Sequence, residues 1–508
     1  MSHHEPEESA GASLGARVAK GAAFIVATRL IVRSLGFINT LILARLLAPE
    51  DFGLVALGVT VMQLLQNVSD IGVSQTVVRY RTAERSILDT LFTLSVVRGV
   101  AVAALLLIAS LFAGTFYGDP RAAWVFAGIA AVPLLTAFIN PKFHEFERDL
   151  DFSKTMLSGG LDKLASVIVS VAVAVIFKSY WAIILGLVAG AFTQAVVSYL
   201  MRPYMPRFSL TSFRELMAFT GWLTGVSFVV ALNNKLDVLI LGRLLGAGPT
   251  GAYYMGDQLA SLATVEVAQP VAKAIYPGLS ELQSDPERMN RGYLRGVEVL
   301  GAIALPAALG CAFVAHDLVN LLLGAKWLAA IPVVQAFAPV TGLMLIFITT
   351  QAYAMALGRT KLIFFREVIY FALRTPLFIW ATLTYGFSGA VYAAASMTVV
   401  HMGLNLALYQ QLANRPFWEP ILRVRRSLGA SAAMAIYFFA LRPAAPFITE
   451  APMFFRLVID VALGGGFYIG THYVLWLVAG RPDGIEKTAF GLLEGVRKHL
   501  RARTAATS

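Results

Sequence analysis

At 508 residues, 57% of them apolar and only 14% charged, with a mean hydropathy of +0.70, the chain is far from the composition of a soluble globular domain. The formal charge of +11 would suggest nucleic acid as a partner for a soluble protein, but here loop placement accounts for it and no nucleic-acid partner is expected. One cysteine, Cys311, excludes an internal disulfide and fits no metal-ligand pattern.

Residues 1–16 are polar, carry too little apolar side chain to pack, and read as a disordered cytoplasmic tail. No short apolar core with a small-residue cleavage site follows, so the first span is expected to stay in the protein. Crossing roughly 30 Å of hydrocarbon takes about 20 apolar residues. Runs of that kind lie near 21–47, 52–78, 89–112, 123–141, 156–177, 181–201 and 216–242. Seven more follow near 252–276, 296–315, 328–352, 363–384, 387–410, 427–447 and 455–479. The runs are continuously apolar rather than alternating, which predicts an all-α integral membrane protein of about 14 spans and excludes a barrel.

Lysine and arginine set the orientation. One set of alternate loops holds nineteen of them, the other set six, among which are Arg45, Arg121, Arg243 and Arg442. Both termini are therefore expected in the cytoplasm. Outer loops are all short, which leaves no room for a folded catalytic domain.

The chain also repeats itself. Leu41 to Gly53 returns 198 positions later as Leu239 to Gly251, with seven of thirteen residues identical, including Arg45 with Arg243 and Gly53 with Gly251. Each copy ends one apolar run and precedes the next, so both read as the turn between the first two helices of a repeated half. This gives an N-terminal lobe over 17–201 (spans 1–6), an inter-lobe loop over 202–214 and a C-terminal lobe over 215–412 (spans 7–12). Spans 13 and 14 occupy 413–480, and 481–508 is a basic amphipathic tail expected on the inner membrane surface. An even number of spans per half relates the copies by an axis along the membrane normal.

Polar side chains inside spans carry the functional signal, because a charge at mid-bilayer costs roughly 2.5–3.5 kcal/mol on insertion scales and persists only against a cavity or a partner. In span 1, Arg29, Arg33, Gly36 and Thr40 fall within about 60° of one another. Span 2 carries one stripe of Thr60, Gln63, Gln66, Asn67, Asp70 and Ser74. Two readings fit: an arginine pairs with Asp70 inside the first bundle, or the stripe lines a wet passage. Arg98, about ten residues into span 3, fits either.

Spans 7 and 8 repeat the theme with Asn234, Lys235 and Asp237, and with Asp257, Ser261 and Thr264. Glu266 with Lys273, Glu367 with Arg374, and Asp460 read as structural pairing groups, and His401 and His472 as isolated packed histidines.

Ala44-Arg45-Leu46-Leu47-Ala48-Pro49-Glu50-Asp51-Phe52-Gly53, followed by Asp70-Ile71-Gly72, resembles the N-terminal signature of bacterial polysaccharide repeat-unit flippases of the Wzx type, within the multidrug/oligosaccharidyl-lipid/polysaccharide (MOP) exporter superfamily. Arg33-Ser34-Leu35-Gly36-Phe37, and Tyr253-Tyr254 through Asp257 to Pro277, resemble helices of the related lipid II flippases. Asn39 and Gln258 stand where those relatives carry arginine, which argues against lipid II as cargo.

The resemblance implies two six-helix lobes around a central cavity, alternating access, and an undecaprenyl-diphosphate-linked oligosaccharide as substrate, with membrane lipids and the polymerase and export machinery as further partners. On that basis Arg29, Arg33 and Lys235 are expected to hold the diphosphate, and Gln63, Asn67 and Asn234 to touch sugar, with Thr40, Arg98 and Asp237 in the same cavity. Asp70 or Asp257 would carry a coupling cation.

A drug/cation antiporter of the same superfamily is one alternative, though it would want a carboxylate-dominated cavity. A membrane-embedded polysaccharide polymerase is another, and it would need a carboxylate cluster in a large outer loop. No Gly-x-x-x-x-Gly-Lys-Ser/Thr loop occurs, and neither cofactor, metal nor enzymatic activity is expected.

Overall fold

The computed structural model describes residues 32–69, 84–149, 151–213 and 221–482, together with Val73, Val77, Gly484 and Glu486. Arg29, Asp70, Ser74 and both expected tails beyond these bounds lie outside the described residues, as do the side chains of Glu266 and Lys273.

Every regular element among the described residues is helical. The first, α1, covers 32–46, and α2 follows as Pro49–Val68. Proline at the first position of α2 gives up no hydrogen bond, and the Asp51 carboxylate accepts from the Ala48 amide at 3.1 Å, so the turn Leu47-Ala48 is fixed by local chemistry. Next come α3 (Arg85–Tyr117), α4 (Arg121–Ile129), α5 (Ala131–Ala137), a 3₁₀ turn (Pro141–His144), α6 (Glu145–Arg148), α7 (Phe152–Phe177) and α8 (Trp181–Met201).

The second part holds α9 (Gly221–Leu245), α10 (Ala247–Glu281), α11 (Pro286–Phe313), α12 (Ala315–Leu322), a 3₁₀ stretch (Ala325–Ala330), α13 (Ile331–Ala356) and α14 (Thr360–Ala413). It closes with α15 (Glu419–Arg423), α16 (Arg425–Ile436), a π turn (Tyr437–Leu441), α17 (Pro446–Thr449) and α18 (Met453–Val478).

Among the described residues seven helices are individually long and apolar enough to cross a membrane, and the bent pair Arg121–Ala137 with Pro141–Arg148 makes an eighth candidate. The 54 residues of α14 are two limbs, broken at Gly386, whose φ of 61° suits glycine. A multi-pass helical membrane protein is thus established, while the exact count of fourteen is not confirmed. Large apolar side chains such as Leu111, Phe112, Ile469 and Val478 are exposed, as contact with acyl chains requires.

The chain divides into two compact units with the boundary between Gly251 and Ala252. In the first, α7 packs along α8, α3 along α4 and α5, and α9 along α2, where Gly242 leaves room for the Leu57 side chain. The segment after α8 has no regular structure yet is strapped to the start of α3. Arg207 N and the Tyr204 hydroxyl donate to Asp89 Oδ1 at 2.9 and 2.7 Å, and Ser209 N donates to Thr93 Oγ1 at 2.9 Å.

In the second unit, α11, α13 and α14 enclose a core where the fully buried Tyr293 and Tyr409 stack with ring centroids 4.8 Å apart. The hydroxyl of Tyr409 lies 2.9 Å from both Asn290 Oδ1 and Glu419 Oε2.

Candidate functional site: a polar cavity at a broken span

The polar groups that share a space in the first unit come from α2, α3 and the break in the fourth span. Arg98 lies thirteen residues into α3, about 20 Å from its start at 1.5 Å per residue. Its neighbour Gly99 explains how it gets there. A Cβ on Gly99 would lie 2.3 Å from Ala137 Cβ and 2.7 Å from the Pro133 carbonyl oxygen, so only glycine lets α3 approach α5 this closely. That approach brings the Arg98 side chain beside the point where α5 ends.

The span bends there by 67°. Asn140, fully buried, holds the bend: its amide NH₂ donates to the Arg202 and Ser198 carbonyls at 2.6 and 3.3 Å. Its Oδ1 accepts from Lys142 N at 2.9 Å, and its own N–H donates to Ser198 Oγ at 3.0 Å. Four hydrogen bonds on one buried residue fix the direction of the following 3₁₀ turn, which ends at His144.

The result is a cavity of about 350 Å³ lined by Gln66, Ser95, Arg98, Thr136 and His144 among its polar groups. Arg98 Nε donates to Ser69 Oγ at 3.2 Å, and one terminal nitrogen donates to the Gln66 carbonyl at 3.4 Å, which ties α3 to the end of α2. His144 Nδ1 lies 3.8 Å from Glu147 Oε1, and its ring meets Phe143 edge-on. None of the described residues lining the cavity is a carboxylate. A guanidinium, an imidazole, an amide and two hydroxyls around a void suit an anionic or hydroxylated ligand.

The sequence-derived site residues divide accordingly. Gln66 and Arg98 meet at the cavity, whereas Gln63, Asn67, Asn234, Lys235, Asp237 and Asp257 are not among the described residues lining it. Arg33 is exposed on α1, and the Thr40 hydroxyl donates to its own helix at the Gly36 carbonyl, 3.0 Å away. Asn67 and Asn234 are exposed, Gln63, Lys235 and Asp257 are partly buried, and Asp237 is buried. Among the described residues no group of three His, Cys, Asp or Glu side chains can hold a metal ion.

Histidines read as isolated turn out to have charged neighbours. His401 stacks on Tyr370 at 4.2 Å, with Nε2 3.3 Å from Glu367 Oε1, and Glu367 also pairs with the adjacent Arg366. His472 Nδ1 lies 3.3 Å from Glu486 Oε1, and Glu486 pairs with Arg426 at 2.8 Å while Arg426 also binds Glu298. Asp460 accepts from Arg442 Nε at 2.9 Å and from the Tyr437 hydroxyl at 3.0 Å.

Solved structures of multi-helix membrane transporters share the fold of this bundle of apolar helices. The lipid II flippase MurJ in an inward closed conformation matches with a TM-score of 0.69 at 13% identity, covering 90% of this chain and 100% of that one. An inward-facing MATE family multidrug resistance transporter of the MOP superfamily matches with a TM-score of 0.59 at 15% identity, covering 77% and 94%.

The chain belongs to the polysaccharide biosynthesis protein family, whose profile matches residues 42–332. Similar proteins include the lipopolysaccharide biosynthesis protein WzxC of Escherichia coli (strain K12), 25% identical over 89% of this chain and 88% of that protein. The succinoglycan biosynthesis transport protein ExoT of Rhizobium meliloti (strain 1021) is 22% identical over 85% and 88%. The teichuronic acid biosynthesis protein TuaB of Bacillus subtilis (strain 168) is 23% identical over 80% and 84%. The resemblance read from Ala44 to Gly53 therefore extends over most of the chain.

Proposed function

We propose that this protein is a flippase that carries undecaprenyl-diphosphate-linked oligosaccharide repeat units across the bacterial inner membrane by alternating access, with both termini in the cytoplasm. Membership in the polysaccharide biosynthesis family and the transport role in ExoT's name support the class of cargo. The single observation that carries the reading to the residues is the Arg98 cavity, a cationic, hydroxyl-lined space inside an apolar bundle. A drug-cation antiporter would need the opposite polarity there.

In this reading Arg98, together with Arg29, Arg33 and Lys235, offsets anionic charge on the headgroup, and Thr40, Gln63, Asn67, Asn234 and Asp237 exchange hydrogen bonds with sugar hydroxyls along its route. Asp70 and Asp257 are the carboxylates available to a coupling cation. The chain performs no bond-breaking step, and the polymerase and export machinery receive its product.

The test is polymer export in a strain deleted for its own repeat-unit flippase. Expression of this protein restores surface polysaccharide, and Arg98→Gln, at equal membrane abundance, does not. Export unchanged by Arg98→Gln would remove the cavity from the mechanism.

A further inference from the structure

We propose that the segment after α8, residues 203–213, is a strap seated in the membrane interface. Met205, Phe208, Leu210 and Phe213 enter the acyl chains of the cytoplasmic leaflet, and Arg207 and Lys142 meet the phosphates of its anionic lipids. This surface goes beyond the flippase reading, which uses none of these residues.

Met205, Phe208 and Leu210 are 83%, 70% and 56% exposed, and Phe213 is exposed as well. Four large apolar side chains within nine residues make a patch that a water-facing connection would not keep. The patch continues the apolar surface of the neighbouring helices. Leu200 is exposed in the last turn of α8, and Val97 and Val100 are exposed on α3, on the same stripe as Leu111. The strap reaches furthest along α3 at Ser209, whose N–H donates to Thr93 Oγ1 at 2.9 Å. Val97 follows Thr93 by four residues, about 6 Å along the axis. Phe208 and Leu210 therefore sit about one turn from the first of these valines.

Backbone that approaches hydrocarbon has to be satisfied without water, and irregular backbone only by other protein groups. Here the start of α3 supplies them. Asp89 Oδ1 accepts from Arg207 N at 2.9 Å, and Thr90 Oγ1 accepts from Ser212 N at 3.3 Å. Within the strap, Thr211 N donates to Ser209 Oγ at 3.4 Å and Phe213 N to the Leu210 carbonyl at 3.1 Å. Arg85 donates to the Met205 carbonyl at 3.2 Å. Asp89, Thr90 and Thr93 are all buried, so the polar groups that hold the strap are themselves out of water.

Charge selects the occupant. Among the described residues the exposed Arg207 guanidinium bonds to no carboxylate. The Lys142 ammonium lies over the Tyr204 ring, 5.7 Å from its centroid, while the Tyr204 hydroxyl is bonded to Asp89 at 2.7 Å. Two cations beside an exposed apolar patch match a layer of anionic headgroups over acyl chains. Thr93 stands five residues before Arg98, so the strap holds the end of the helix that carries the cavity arginine.

Single-cysteine variants of the full-length protein on a Cys311→Ala background test this, labelled with an environment-sensitive fluorophore in vesicles of phosphatidylcholine mixed with phosphatidylglycerol. Met205→Cys and Leu210→Cys place the label on the strap without giving up a buried side chain, and Ser284→Cys, exposed between α10 and α11, is the water-facing control. Lipids spin-labelled near the top of the acyl chain are expected to quench both strap labels. Iodide should reach those labels about tenfold less than the control, the least that burying one large apolar side chain gives. In phosphatidylcholine alone, or with Arg207→Gln and Lys142→Gln in the mixed vesicles, lipid quenching falls and iodide quenching rises, by about fivefold in partition for each cation. Iodide quenching equal to that at Ser284→Cys overturns the insertion. Protection of the strap labels from both quenchers also overturns it, because protein would then cover the patch. A partition unchanged by phosphatidylglycerol and by both glutamine variants overturns the contact with anionic headgroups.

Discussion

Gly53 and Gly251, matched positions of the two repeat copies, pack backbone to backbone. A Cβ on Gly53 would lie 1.8 Å from the Ala247 carbonyl oxygen, and a Cβ on Gly251 would lie 1.9 Å from that of Pro49. Pro49 and Ala247 are themselves 198 positions apart, so the contact is reciprocal: each copy's glycine receives the carbonyl that opens the other copy's helix. The first turns of α2 and α10 are thus related locally by a pseudo-twofold axis.

Neither glycine tolerates a methyl group, because the colliding atom is backbone and cannot rotate away. Gly53→Ala and Gly251→Ala should each destabilise the detergent-solubilised protein by about 3 kcal/mol or more, the upper range for overpacking. Gly36→Ala on α1, where nothing lies within 4 Å, should be neutral or stabilising by up to about 1 kcal/mol through helix propensity. Thermal unfolding followed by size-exclusion chromatography distinguishes them.

Asn140 is the pin of the broken span. Asn140→Ala removes three side-chain hydrogen bonds from a fully buried position and should cost about 1–3 kcal/mol. It should also lower transport, because the turn bearing His144 loses its fixed direction. A variant with normal transport and reduced stability would show that the bend does not position the cavity.

Asp317, on the short α12 between spans, is held by Arg456 Nε at 2.7 Å and Arg442 at 3.3 Å. Burial alone would raise its pKa, but the hydrogen bonds and charge of Arg456, with Arg442, outweigh it and leave the carboxyl below its ordinary range. A depressed folded value stabilises above the unfolded value, and that contribution is lost as pH falls through the folded one. The melting temperature of the wild type should fall on acidification below about pH 4, the ordinary carboxylate range, by more than that of Asp317→Asn, which starts lower and changes less.

Arg426 bridges Glu298 and Glu486, all three buried or nearly so. Arg426→Met leaves two carboxylates facing each other in the bundle and should cost about 3–5 kcal/mol. Glu486→Gln keeps the Arg426 bond to Glu298 and should cost less. The reverse order would contradict the bridge.

The sequence carried some of this plainly. Apolar runs predicted a helical membrane protein, the recurrence of Leu41–Gly53 predicted a repeat, and Arg98 stood out because a cation inside an apolar run needs a reason. Other parts were not legible, for two physical reasons. The first is that the apolar run of the fourth span ends near residue 141, and nothing in its pattern marks a bend there. A bend is made by hydrogen bonds from distant Ser198 and Arg202, which no local pattern records. The second is that pairing across helices is not a property of spacing. Glu367 bonds to the adjacent Arg366 and lies 3.3 Å from His401 on the returning limb of α14, neighbours that spacing along one helix does not record. Gly53 and Gly251 were visible as a repeat but not as a contact, because self-similarity says nothing of which copies touch.

The central claim is tested most directly by reconstituting the purified protein into liposomes with a fluorescent undecaprenyl-diphosphate oligosaccharide and measuring how much of the probe a membrane-impermeant quencher reaches over time. The account predicts that wild-type protein exposes the inner-leaflet pool well above the protein-free rate and that Arg98→Gln slows this to background. Equal rates with and without protein, or equal rates for wild type and Arg98→Gln, would contradict it.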